Sequence, residues 1–167
     1  MKKIIVSLLL LLPLGLFAQD VKIAFVDQNE IIFNSGMPEV SELESALATK
    51  QKEYDEILKS MQEEYERKVG DYQQRGDSLT ENIRKVRIQE IQELSNRMEN
   101  VYNLGQEEIK NLQETLYAPI QEKVMKAITS VGDENGFAYI VLPQLLLYKS
   151  KNVIDATPLV KAKLGLK

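Results

Sequence analysis

The sequence predicts an α+β protein in which a long antiparallel helical hairpin, a coiled-coil tentacle, projects from a small β-sheet body formed by association of subunits. Three observations carry this. Between Pro38 and Asn135, apolar residues recur at steps of three and four along two adjoining stretches, the mark of two helices with one buried stripe each. Strand-like runs occur only outside that stretch, at Val21 to Val26 and from Phe137 onward. The hairpin leaves only about fifty residues for a body (20–37 and 136–167), fewer than the roughly 70 that a core needs to stand alone without staples. The chain has no Cys and no His, so disulfides and the commonest metal ligands are missing and association is what remains.

In chain order, Lys2-Lys3, the apolar run Ile4 to Phe17 and the small residue Ala18 read as a secretory signal over 1–18, cleaved to leave Gln19 first. The run is too short for a bilayer core of about 30 Å, so the expectation is an exported, soluble chain, in the periplasm of a bacterium with two membranes. Val21 to Val26 alternates as a strand with one buried face. Asp27 stands three residues before Glu30, the capping-box spacing, which predicts a short helix from Gln28 to Phe33. Asn34-Ser35-Gly36 ends it, and Pro38 suits the first position of the next helix, where its missing N–H costs nothing.

The limbs can be checked by arithmetic. If they fold against each other about Asp77, residues at one level have numbers of constant sum. Tyr72 with Ile83, Val69 with Val86, Tyr65 with Ile91, Met61 with Leu94, Leu58 with Met98 and Tyr54 with Val101 all add to 155 or 156. So do Leu47 with Ile109, Leu43 with Leu112 and Val40 with Leu116. Gly76-Asp77-Ser78 supplies turn chemistry at the centre, through the positive φ open to Gly and the self-bonding of Asp and Ser. Successive steps of four imply stutters that locally unwind a supercoil. Gly70 and Gly105 lie inside the limbs, where each costs about 1 kcal/mol relative to Ala, and the expectation is that both let the limbs bend.

Pro119 predicts a kink or break in the returning helix. Beyond it Ile120, Val124, Ala127, Ile128 and Val131 form a broader apolar face that belongs to the body. Gly136 stops the helix, Phe137 to Leu142 reads as a strand, Pro143-Gln144 as a turn, Leu145 to Tyr148 as a second strand, and Val153-Ile154 as a short extended piece. Thr157 caps a last helix opened by Pro158. A sheet drawn from both ends of the chain leaves edges that need partners. Ile23, Phe25, Phe137, Tyr139, Val141, Leu145 and Leu147 are therefore the candidate association residues.

Charge is uneven. Without Lys2 and Lys3, 19 basic residues face 25 acidic ones, a net of −6. The tip, Arg67 to Arg87, carries Arg67, Lys68, Arg75, Arg84, Lys85 and Arg87 against three acids, a net of +3. The rest of Pro38 to Asn135 is −11. Those six cations are candidate client or surface contacts, and so is Tyr102, which lies off the seam. Arg75-Gly76-Asp77 spells an adhesion tripeptide, but a turn that needs Gly beside Asp accounts for it. The composition offers no catalytic base arrangement, phosphate loop or metal-ligand spacing, so no enzyme and no cofactor are expected. Acidic balance and export both oppose nucleic-acid binding.

The residues also resemble a known family. KIAFVDQNEIIFNSGMPE after the signal, the charged hairpin, LYAPIQEKVMKAITSVGDENGFAYIVL, and the final Asp155-Ala-Thr-Pro158 are similar to the Skp/OmpH periplasmic chaperones across the mature chain. The most specific matches are Val26-Asp27, Ala118-Pro119-Ile120 and Gly136 to Val141. The resemblance implies a jellyfish-shaped homotrimer with a small β-barrel body (19–37 and 119–167) and three tentacles (38–118, tips near 76–79). It implies ATP-independent holding of unfolded outer-membrane proteins in the cavity between the tentacles. The best-known members are strongly basic and this chain is acidic, so no lipopolysaccharide motif carries over, and contact of the tips with a membrane surface has no motif behind it. The reading from a different class is a structural periplasmic tether or adaptor that binds one defined envelope partner.

Overall fold

The computed structural model describes residues 21–166; the segment read as a secretory signal lies outside the described residues. The element order is β1 (Ile23–Phe25), α1 (Gln28–Phe33), α2 (Pro38–Arg75), α3 (Glu81–Asn135), β2 (Tyr139–Val141), β3 (Ile154–Asp155) and α4 (Thr157–Lys163). Short 3-10 turns lie at Gly76–Ser78, between α2 and α3, and at Pro143–Leu145, after β2.

β1 is central in a three-stranded sheet of order β2-β1-β3, parallel to both neighbours. Parallel neighbours need a crossover, and between β1 and β2 that crossover is the entire hairpin. Its base is therefore clamped by the sheet it connects. The core lies under the sheet: Ala24, Val26, Ile31, Ile32 and Met37 pack with Val40 and Leu43 of α2, with Ile120, Val124, Ala127, Ile128 and Val131 of α3, and with Ala156 and Val160. The broad apolar face expected beyond Pro119 is thus the body's main wall.

Asp27 caps α1 as its spacing predicts, its Oδ1 accepting from Glu30 N–H at 3.0 Å. The reciprocal half of the box is absent, because Asp27 N–H donates to the Thr157 hydroxyl at 3.0 Å. This corrects the role expected of Thr157. It does not cap α4, whose cap position is Ala156, but ties the two ends of the chain together, while the Asp155 carboxylate accepts from Thr157 N–H at 2.9 Å. Lys161 of α4 adds an ion pair to Glu30 of α1 at 3.3 Å.

Three further expectations are corrected. α3 runs through Pro119 without the break that was one of the two outcomes expected there; Pro119 and Thr115, whose carbonyl loses its helical donor, are both exposed, so water can serve that carbonyl. Leu145 to Tyr148 is not a strand: Pro143–Leu145 forms a 3-10 turn, and the residues after it pair with neither open edge of the sheet. Gly76 has a negative φ of −54°, so the turn does not use the left-handed region; the Tyr72 ring lies against its backbone instead. Gly136 does adopt φ 65°, ending α3 with its N–H and that of Phe137 turned back onto α3 carbonyls.

Candidate functional site

Two surfaces hold the candidate residues: the two limbs of the hairpin and one side of the body. Along the limbs the constant-sum seam is buried or half-buried from Val40 to Tyr72 and from Ile91 to Leu116, with Leu94 at 1% exposure. Cross-limb ion pairs Lys50–Glu108 (4.0 Å) and Lys68–Glu90 (3.1 Å) have numbers that add to 158. Those sums, and the 159 of the Tyr54–Gly105 contact, exceed the expected 155 or 156, so the residues that meet across the limbs are not the pairs the arithmetic names: Tyr54 faces Gly105 rather than Val101.

The tip departs from the arithmetic. Ile83 and Val86 are 47% and 53% exposed, so they are not seam residues. Half-buried Arg84 takes that level, seven residues before Ile91 and therefore two turns back on the same face. Ile83 is displaced by one residue, about 100° of helix rotation. The Arg84 Nε is shielded from solvent and has no hydrogen-bond partner among the described residues.

Of the expected basic contacts, Arg67, Lys68, Arg75 and Arg87 line one pocket of about 320 Å³ with Tyr72, Leu79 and Ile91. The pocket is not an uncompensated anion site, because Glu64, Asp71 and Glu90 share its wall. Lys68 and then Arg87 hold the Glu90 carboxyl below its ordinary pKa. Lys85 lies outside the pocket and pairs with Glu81 at 2.9 Å. Tyr102 is 55% exposed, as a residue off the seam should be.

Lower on the limbs Gly105 is buried, and a Cβ there would stand 2.8 Å from the Tyr54 ring. Gly105 is therefore a contact where the limbs come close. Gly70 has nothing within 4 Å of a Cβ position. Desolvation in that contact, and then the Glu108 carboxylate, push the Tyr54 hydroxyl up.

On the body the seven candidate association residues separate into two groups. Phe25 is buried within this chain, with the Lys149 ammonium 3.7 Å from its ring centroid, and Phe137 and Val141 are half-buried. Ile23, Tyr139, Leu145 and Leu147 are exposed, Leu145 at 74% and Leu147 fully. Tyr148 joins them at 82%; its position next to the leucine run was the signal that could have found it.

With this geometry in hand, a family model described as Outer membrane protein (OmpH-like) matches residues 22–164. The chain belongs to the OmpH-like family. No curated protein matches it in sequence. Membership in the OmpH-like family suggests a periplasmic chaperone of the Skp/OmpH type. Two properties of this OmpH-like chain bear on that. No helix among the described residues is long and apolar enough to cross a membrane. Its carboxylates, numerous as they are, form no metal-holding group among the described residues; many sit instead in i,i+3 or i,i+4 pairs such as Lys52–Glu56 and Lys126–Glu122, which solvate a helix surface.

Proposed function

We propose that the protein is an ATP-independent periplasmic holdase that binds unfolded outer-membrane proteins between helical tentacles and keeps them from aggregating. The observation that carries the reading is the combination of OmpH-like membership with a body that is unfinished as a single chain. The outer edges of β2 and β3 have no partner among the described residues, and Tyr139 of β2 and Leu145, Leu147 and Tyr148 are large exposed side chains. Open edges and large exposed apolar side chains call for association. A homotrimer, formed by body residues 19–37 and 119–167, leaves tentacles 38–118 free to surround a client. The chain is exported by cleavage after residue 18. Many weak contacts without fixed register suit clients of varied sequence.

Sedimentation velocity of the mature chain, alone and after a urea-unfolded outer-membrane β-barrel protein is diluted into it, tests this. The expected result is a trimer that shifts to a discrete species containing soluble client. A trimer beside an aggregating client moves the function to the tether reading, in which one defined partner binds the tips. A monomer removes the association body altogether.

A further inference from the structure

Closure of a helical hairpin depends on what each limb puts into the seam, level by level, and at the tip the two limbs do not match. On α2 the apolar residues Tyr65, Val69 and Tyr72 stay half-buried. On α3, from Glu81 to Glu90, the apolar residues Ile83, Val86 and Ile88 are all exposed, and the two half-buried positions are Arg84 and Glu90. Over about three turns of helix the returning limb therefore answers apolar residues with charged ones. Only with half-buried Ile91 and buried Leu94 does it put apolar side chains into the seam.

The charges also oppose closure. Residues 67–75 of α2 carry Arg67, Lys68 and Arg75 against Asp71, a net of +2, and residues 81–87 of α3 carry Arg84, Lys85 and Arg87 against Glu81, again +2. Like charges on facing limbs repel. The tie across the limbs at this end is Lys68 to Glu90 at 3.1 Å, with side chains 29% and 36% exposed, and an ion pair this open contributes little. The Arg84 Nε is shielded from water without a hydrogen-bond partner among the described residues, a cost that is relieved when the limbs part and water reaches it. Both limbs also line a cavity of about 320 Å³ here. The mid-limb is closed by opposite means, with Leu94 sealed and the Tyr54 ring against Gly105.

We propose that the tip, residues 69–90, is a clasp that opens by itself while the limbs below it stay packed. Local opening belongs to segments with little buried apolar surface, and Arg84 in the seam is what makes the tip one. Opening uncovers Val69, Tyr72 and Leu79 beside the exposed Ile83, Val86 and Ile88, so each tentacle gains apolar surface for an unfolded client. That client role rests on the holdase reading above.

The test is amide hydrogen exchange, read by mass spectrometry on the full mature chain in two variants. In the first, Lys68→Cys with Glu90→Cys, the chain has no other Cys, and the two thiols are either joined by a short bis-maleimide or capped separately with N-ethylmaleimide. The second is Arg84→Leu, which removes one of the repelling charges and gives the seam an apolar residue. Sedimentation and helical circular dichroism matching the parent show that both fold. Joining the thiols should slow exchange at 69–74 and 81–88 several-fold relative to the capped form. Arg84→Leu, a change on α3, should slow exchange at 69–74 on α2, which fraying of a turn would not produce. Exchange at 69–74 left unchanged by either variant overturns the clasp. Equal slowing at 91–105 also overturns it, since the limbs then open as one unit. The joined form should keep several-fold less of a urea-unfolded outer-membrane β-barrel protein in solution than the capped form, and equal holding overturns the client role. If the client aggregates beside the unmodified chain, the holdase reading fails, while the exchange results still decide the clasp.

Discussion

The middle of the hairpin and its tip are built from the same alternation of apolar residues, yet they pack differently. Around Leu94 and Gly105 the limbs are closed on each other, with both residues buried. Between Gly70 and Ile88 they are merely adjacent: Ile83, Val86 and Ile88 are all about half exposed and a polar pocket opens between the limbs. Periodicity says where a seam can run, and the depth of its closure depends on side-chain shape at each level. The largest expected effect follows directly. Leu94→Ala should lower stability by about 2–5 kcal/mol, the cost of a cavity at a fully buried site, whereas Ile83→Ala should stay within roughly 0.5 kcal/mol, as exposed substitutions do. Urea unfolding at fixed chain concentration measures both, and equal losses would erase the distinction.

The two limb glycines sharpen the comparison because their alanine variants should differ in sign. At Gly105 the added methyl meets the near side of the Tyr54 ring at 2.8 Å. The ring is held by the opposite limb, so overpacking of about 1–3 kcal/mol outweighs the roughly 1 kcal/mol gained in helix propensity. At Gly70 the methyl meets nothing, and Gly70→Ala should stabilise by about 0.5–1 kcal/mol. Stabilisation by both alanines in the same urea series would show that the close approach at Tyr54 is absent in solution.

The body is tighter still than the mid-limb, and part of its closure is polar. Thr157→Val keeps the side-chain volume but leaves Asp27 N–H without its acceptor, with an expected loss of about 1–2 kcal/mol from an unsatisfied, partly buried donor. Thr157→Ser should recover most of it. A Val variant as stable as the parent would mean that water replaces the hydroxyl.

What the sequence revealed and what it hid divides along the reach of the interactions. Asp27 as a cap, Gly136 as a stop, the seam below Ile91 and the body face from Ile120 to Val131 depend on neighbours within a turn or on a period, and all were legible. Thr157 looked like a helix cap because cap chemistry is local, while its actual partner lies 130 residues away. Leu145 to Tyr148 has strand composition, but a strand also needs a ladder partner, and although the edges of β2 and β3 are open this segment pairs with neither. Pro119 warned of a kink or a break; the helix is not broken there, where the freed carbonyl of Thr115 faces water. Arg84 at the seam was hidden by its charge, since a basic residue is not counted in an apolar stripe even when its stem lies there.

The smallest effect concerns the ion pairs that mid-limb, tip and base share. Lys123 holds the Glu39 carboxyl below its ordinary value at the base, as Lys68 and Arg87 hold Glu90 near the tip. A depressed carboxylate pKa contributes stability above its unfolded value, and that contribution is lost as pH falls through the lower folded value. Stability should therefore hold from neutrality down to the ordinary carboxylate range, near pH 4, and decline below it. Because these groups are solvated, the decline should be shallow and should flatten in about 1 M salt, where screening acts over only a few ångströms. The distinction between regions then becomes testable within one titration. Glu90→Gln should reduce the acid sensitivity of amide exchange around Lys68 and leave the base unchanged, whereas Glu39→Gln should do the reverse. If either variant altered both regions equally, the limbs would be opening as one cooperative unit, and the contrast between a closed middle and a loose tip would not extend to their dynamics.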